Sequence, residues 1–499
     1  MNHKLSAVAL ATSLIITGCN SSSSDGPKTG TPVAKAKNVI LMISDGASDG
    51  AWDIASFYEH GELANKVAPY NAMEHRYAMT TYPLNTNSTP AEDCTPEALE
   101  PEYTYDPEKA WDDTRVDDEN ARRMFKGYEH LNDGWTDSAA AGTALATGTK
   151  SYNQAISVNN CGEPLKLITE YAKDAGMSTG VVSSVNINHA TLAVFGTTNT
   201  SRYENHELAY DMLTRGHLDL IMGTGHPHYD NNGDRRSSPT YSTISEEDWE
   251  DVLAGKIYPK GSNLPWSFMD SFNEFTALAN DYASAELMEG PLLAMPRTGS
   301  TMQQSRSKSG CNDASEAFGC ELNQNMPSLK MMTQGALNYL SQNENGFFVM
   351  VEGGAVDWAA HANDTARIIE EQIDFNDSVS AVIEWVEANS SWDETLLIVT
   401  TDHGNSYVLG DNSDIEAYAA VENAGAFSTP EVKYFSGDHT TELVRLYAKG
   451  AGAALFKDYF DGHDPYYAEM YRNDGATGDY FDNTNVFDVM RSVIDEDSM

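Results

Sequence analysis

The sequence predicts an α/β fold: a doubly wound, mostly parallel central sheet flanked by helices, with a large insertion. Three observations predict it. Four short apolar runs, at 38–43, 178–185, 347–351 and 395–401, have the length and β-branched content of buried strands. Helical patterns lie between them, at 166–174 and over the long stretch 364–387, and alternating strands with helices favours parallel pairing. Three of the runs also stop at an acid: Ser44-Asp45-Gly46, Glu352-Gly353-Gly354 and Asp402-His403-Gly404.

The elements are justified in chain order. Lys4 precedes an apolar run ending at Ile16-Thr17-Gly18-Cys19, so 1–18 reads as a signal peptide. The ending resembles a bacterial lipobox, which would make Cys19 the lipidated first residue of the mature chain. Residues 19–36 carry a Ser-rich tether. The single large domain is expected over 37–499. Residues 203–330 are rich in Asn, Asp, Ser, Gly and Pro, and read as an insertion on the sheet. Within it His226-Pro227-His228, on a glycine-rich loop, reads as surface structure.

Four further cysteines, Cys94, Cys161, Cys311 and Cys320, suit two disulfides in an oxidising compartment. Cys311 with Cys320 closes a short polar loop, which leaves Cys94 with Cys161. No C-x-x-C spacing favours a zinc knot. The formal net charge of −44 excludes a general nucleic-acid binder. Any anionic ligand would need a local positive site, which metal ions can supply.

In open α/β sheets ligands bind at the carboxyl ends of the strands. A lone Asp-Gly after a strand is a turn signal. The same device at three strand ends, with histidine twice, is a metal-site signal. Asp357 and His361 are four apart, so one helical turn places both on one face. Trp135-Thr136-Asp137-Ser138-Ala139-Ala140 opens a small-residue helical run, and Ser138 at its start is a candidate nucleophile. A serine alcohol needs a base or a metal. No Gly-x-Ser-x-Gly elbow and no dedicated histidine base is evident, which favours two cations roughly 4 Å apart.

At this point the motifs resemble the alkaline phosphatases, over nearly the whole chain from 38 to about 490. The order is kept: Asp45-Gly46; Asp137-Ser138-Ala139; His189-Ala190-Thr191; Ser201-Arg202; Glu352 with Asp357 and His361; Thr401-Asp402-His403-Gly404; Gly437-Asp438-His439. The resemblance implies a phosphomonoesterase working through a phosphorylated Ser138. It implies a first Zn2+ on Asp357, His361 and His439, and a second on Asp45, Asp402 and His403. It further implies Mg2+ on Asp45, Thr191 and Glu352, with His189 acting through a water and the third metal's identity open. Arg202 would grip phosphate through its planar fork. Glu352 would then face the magnesium while Asp357 and His361, one turn on, face the first zinc.

Two departures stand out. Ser44-Asp45-Gly46-Ala47-Ser48 replaces the family's usual Gly-Asp-Gly-Met-Gly, and Trp135 stands where a small β-branched residue is usual. The implied partners are small phosphate monoesters, with a homodimer possible and membrane contact only through the N-terminal lipid. The implied location is the periplasmic side of a bacterial membrane, or secretion. A phosphodiesterase or sulfatase of the same superfamily, and a non-catalytic metal- or phosphate-binding lipoprotein, are the alternative readings.

Overall fold

The computed structural model describes residues 35–95, 99–116, 120–280, 289–307, 311 and 316–495. The signal-like segment, Cys19 and the tether as far as residue 34 lie outside the described residues. No helix among the described residues is long and apolar enough to cross a membrane.

The sheet is built outward from β1 (Asn38–Ile43), six residues that are all buried. Both faces are covered, so the strand is continuously apolar instead of alternating. Val39, Leu41 and Ile43 feed one core layer, and Ile40 and Met42 the other. The first layer is completed by helices Ala190–Gly196 and Thr484–Ile494, the second by Asp49–His60, Leu329–Leu340 and Thr365–Asn389. These are the two coats of a doubly wound sheet.

The remaining strands are β2 (His75–Thr80), β3 (Ser178–Asn186), β4 (Leu220–Thr224), β5 (Ser267–Met269), β6 (Leu292–Ala294), β7 (Phe347–Glu352) and β8 (Thr395–Thr400). They are followed by β9 (Gly404–Asn405), β10 (Val408–Gly410), β11 (Val432–Tyr434), β12 (His439–Thr440), β13 (Val444–Gly450), β14 (Gly462–His463) and β15 (Asp479–Asp482). Eleven form one sheet in the order β14-β15-β2-β13-β8-β1-β7-β3-β4-β6-β5, while β10 pairs with β11 and β12 with β9. Only β13 and β14 run antiparallel to their neighbours in the large sheet.

Register places the site. Ile43 of β1 lies level with Glu352 of β7 and Thr400 of β8. The residues that follow, Asp45 and Asp402, therefore leave the sheet beside Glu352 at one carboxyl edge. Ser183 of β3 is level with Glu352 as well.

Residues 203–330 supply β4, β6 and β5, which continue the sheet in parallel beyond β3. Their strands are three to five residues long, too short to stand out from polar surroundings. His226 is not at the surface as the sequence suggested. It is 4% exposed, with its ring packed against Tyr229 and Trp249. Disulfides join Cys94 to Cys161 and Cys311 to Cys320, with Cα separations of 6.1 and 4.9 Å.

Candidate metal centre

Ser138 opens the helix Ser138–Thr147, all of whose residues are buried. Asp137 caps it, its Oδ1 accepting from Ala140 N at 2.9 Å and Gln154 N at 2.9 Å. The small side chains let the helix pack closely: a Cβ on Gly142 would sit 2.8 Å from Val194 Cγ2. Asp137 Oδ2 meanwhile holds Arg202 Nη1 at 2.9 Å. One carboxylate thus fixes both the serine's helix and the arginine.

The three strand-end acids converge as the register requires. Asp402 Oδ1 accepts from Gly46 N and His403 N, each at 3.1 Å. That leaves Oδ2 facing His403 Nε2 at 3.3 Å, while Asp45 Oδ1 lies 3.5 Å from the same nitrogen. Ser138 Oγ is 3.2 Å from it too. His403 Nδ1 contacts Gly404 O at 3.2 Å, so the ring proton sits on Nδ1 and the Nε2 lone pair points into the cluster. Burial, and then His439, push the His403 pKa well below its ordinary value, which keeps that lone pair free.

A second group lies alongside. His439 Nδ1 is 2.7 Å from Thr136 O, which again directs Nε2 inward. There it meets His361 Nε2 at 3.1 Å and Asp357 Oδ1 at 3.4 Å, with Asp357 Oδ2 3.4 Å from His361. Two imidazole nitrogens facing one another beside a carboxylate require a proton or a cation between them. Asp357 also lies in one group with His403 and His439, so it bridges the two clusters.

The third group joins Asp45 and Glu352 with His189. Thr191, buried in the helix Ala190–Gly196, lies beside Glu352. His189 Nε2 is 3.2 Å from Arg202 Nη2. Burial, aided by that guanidinium, pushes the His189 pKa down to about 3, so the ring is neutral and accepts from Arg202.

The fit of these residues to metal is testable on their unmet valences. Asp45 Oδ1 and Oδ2, Asp402 Oδ2, Thr191 Oγ1 and Glu352 Oε1 are buried with no hydrogen-bond partner. Buried anions without partners are costly. Burial raises Glu352 to about 7 and Asp402 to about 6, and Asp45 rises well above the usual carboxylate range through burial and the neighbouring Asp402. Such a cluster is stable when cations occupy it. Mixed His nitrogen and carboxylate sets suit zinc, and an all-oxygen set suits magnesium.

Gly46 shows why one glycine survives in a motif otherwise altered. Its φ is +65°, and a Cβ there would lie 2.5 Å from Asp357 Oδ1. Sequence reasoning missed several supports. Asn405 Nδ2 donates to Asp357 Oδ1 at 2.7 Å, and Ser183 Oγ donates to Glu352 Oε2. Asp438 joins His361 and His439 in a further potential ligand group. Its position, directly before His439, was the available signal.

Fold and site together define an α/β protein whose sheet carries a buried, multi-ligand candidate metal centre at its carboxyl edge. The alkaline phosphatase family model matches residues 112–452, and the chain belongs to that family. Alkaline phosphatase 4 of Bacillus subtilis is 31% identical over 322 residues, covering 63% of this chain and 59% of that protein. Alkaline phosphatase of Escherichia coli K12 is 26% identical over 465 residues, covering 87% and 85%. Among solved structures, alkaline phosphatase of Thermus thermophilus aligns with a TM-score of 0.58 at 18% identity, covering 96% and 95%. The enzyme from the Antarctic bacterium TAB5 gives 0.57 at 21%, covering 92% and 98%. These likenesses show the fold. The chain spans 59%, 50% and 45% of the first three curated relatives.

Proposed function

We propose that this chain is a metal-dependent phosphomonoesterase that converts phosphate monoesters to an alcohol and inorganic phosphate through a phosphorylated Ser138. The observation that carries the reading is Ser138 Oγ, at a helix N-terminus, 3.2 Å from His403 Nε2 among buried oxygens that have no protein partner. Asp357, His361 and His439 would hold one zinc, and Asp45, Asp402 and His403 a second. Asp45, Thr191 and Glu352 would hold magnesium, with His189 beside it. When bound, such ions supply Lewis acidity and lower the pKa of coordinated hydroxyl groups.

The chain's own residues do the rest. Arg202, held by Asp137 and His189, keeps one free N–H on each terminal nitrogen to meet two nonbridging phosphoryl oxygens. Ser138 gives up its hydroxyl proton to solvent and its Oγ attacks phosphorus as the ester P–O bond breaks, and the departing alkoxide takes a proton from water. Water then cleaves the phosphoserine and restores the hydroxyl. The two disulfides support an oxidising compartment. An exported, lipid-anchored protein acting outside the cytoplasm is part of the same reading.

The test is phosphate release from ribose 5-phosphate. Chelation should abolish it, zinc with magnesium should restore it, and Ser138→Ala should lower kcat by at least about 10³-fold. Full activity in the serine variant, or faster turnover of a diester such as bis(4-nitrophenyl) phosphate, would sink the reading.

A further inference from the structure

The cleft over Ser138 has a volume of about 620 Å³, more than a bare phosphate ion fills. Two features of its lining bear on what else it holds. The first is aromatic surface. Trp135, the residue that departs from the family pattern, has its ring centroid 5.1 Å from that of His439. Trp358 stands 5.8 Å from His189. Tyr203, directly after Arg202, also lines the cleft and is 67% exposed. Both tryptophans are only half-buried, so none of the three rings is spent on the core. Each adjoins a residue of the phosphate or metal centre and lines the same cleft as Ser138.

The second feature is charge. Among the described residues Arg202 is the only lysine or arginine in the lining, and it already faces Asp137. Asp438 adds a half-exposed carboxylate beside His361. Beyond the phosphoryl group itself, the described lining offers an anion no second lysine or arginine. Thr86, Ser88, Asn153 and Gln154 can hydrogen-bond the hydroxyls of a leaving group, and the ring faces suit a planar uncharged part of it.

We propose that the cleft selects monoesters whose leaving group carries a planar, uncharged heteroaromatic ring, that is nucleoside monophosphates, by stacking the base on Trp135, Trp358 and Tyr203. The inference rests on the phosphomonoesterase reading above. Base stacking on an aromatic side chain is worth roughly ten- to hundredfold in affinity.

The experiment compares adenosine 5′-monophosphate with ribose 5-phosphate. Both present a primary alkyl phosphate of similar leaving-group basicity, and they differ by the base. The readout is the ratio of their kcat/KM values, which cancels losses common to both substrates. In the zinc- and magnesium-loaded protein the ratio should be about ten or more. It should fall toward one in Trp135→Ala and in Trp358→Ala, fall partway in Tyr203→Ala, and be largely kept in Trp135→Phe. A ratio near one in the unaltered protein, or a ratio that none of the alanine variants changes, overturns the inference while phosphate release from both substrates leaves the phosphomonoesterase reading standing. No release from either substrate overturns both.

Discussion

Asp45 and Asp49 are four residues apart, yet their carboxylates sit in opposite electrostatic surroundings. Asp45 shares its pocket with Asp402, Glu352 and Asp357, no arginine or lysine among the described residues pairs with it directly, and both its oxygens lack hydrogen-bond partners. Asp49, at the start of the helix Asp49–His60, is as deeply buried. There Arg445 Nε contacts its Oδ1, Arg76 Nη2 lies 3.3 Å away and Tyr467 OH donates at 2.7 Å. Arg445 also reaches Asp53 at 3.1 Å and Asp474 at 3.0 Å, and Arg76 reaches Asp474 at 2.9 Å. The same density of buried acid is neutralised by the chain's own arginines in one cluster and left for foreign cations in the other. Uncompensated charge, not the number of acids, distinguishes a metal centre from a structural ion network.

The largest effect should come from breaking the self-neutralised cluster. Arg445 is fully buried, and Arg445→Met leaves Asp49, Asp53 and Asp474 facing one another with Arg76 alone. Breaking a buried pair from one side costs about 3–5 kcal/mol. Urea unfolding of the metal-loaded protein should show a loss of that order, and a change below about 1 kcal/mol would mean the network contributes little.

The metal-ready cluster should respond with the opposite sign. In chelated protein, Asp402→Asn removes a buried charge while its Oδ1 can still accept from Gly46 N and His403 N. We expect the chelated variant to gain on the order of 1–3 kcal/mol at pH 8, and to be stabilised less than the unaltered protein when metal is added back. The pH dependence follows. With metal removed, Asp402 and Glu352 titrate at about 6 and about 7, above their unfolded values of about 4. The native state then holds more protons than the unfolded state across that interval. Stability of the chelated protein should therefore fall as pH rises from about 4 to 7, and fall less steeply in Asp402→Asn. A chelated protein that grows more stable over this range would contradict the account.

The two clusters were unequally legible in the sequence. β1, β3, β7 and β8 match their apolar runs to within a residue or so, because strands buried on both faces have no polar positions to blur them. Parallel register then makes convergence of Asp45, Glu352 and Asp402 a consequence of strand ends. The arginine network had no such signature. Arg445 lies in β13 and Arg76 in β2, one on each strand of an antiparallel pair, and Asp49 and Asp53 lie in a helix where no motif marks them. Asn405 was equally hidden, since its approach to Asp357 depends on the short β9–β12 pairing that sets Asn405 opposite His439. β4, β5 and β6 went unseen because a strand of three to five residues carries too little periodicity.

A third cluster sharpens the distinction at the smallest scale. His226 and His228 bring imidazoles and an acid together, much as the candidate metal centre does, but both ring nitrogens of His226 are matched locally. His226 Nδ1 accepts from His228 N at 3.2 Å, which puts the proton on Nε2, 3.3 Å from Asp270 Oδ2. Arg297 Nη2 neutralises the other oxygen of Asp270 at 2.8 Å. A histidine so satisfied has no inward lone pair to offer. Asp270→Asn should therefore cost only about 1 kcal/mol and leave the bound-metal content of the protein unchanged, measured by plasma emission after dialysis. A drop in bound metal would show that the His226 cluster, despite its matched hydrogen bonds, belongs with Asp45 and not with Asp49.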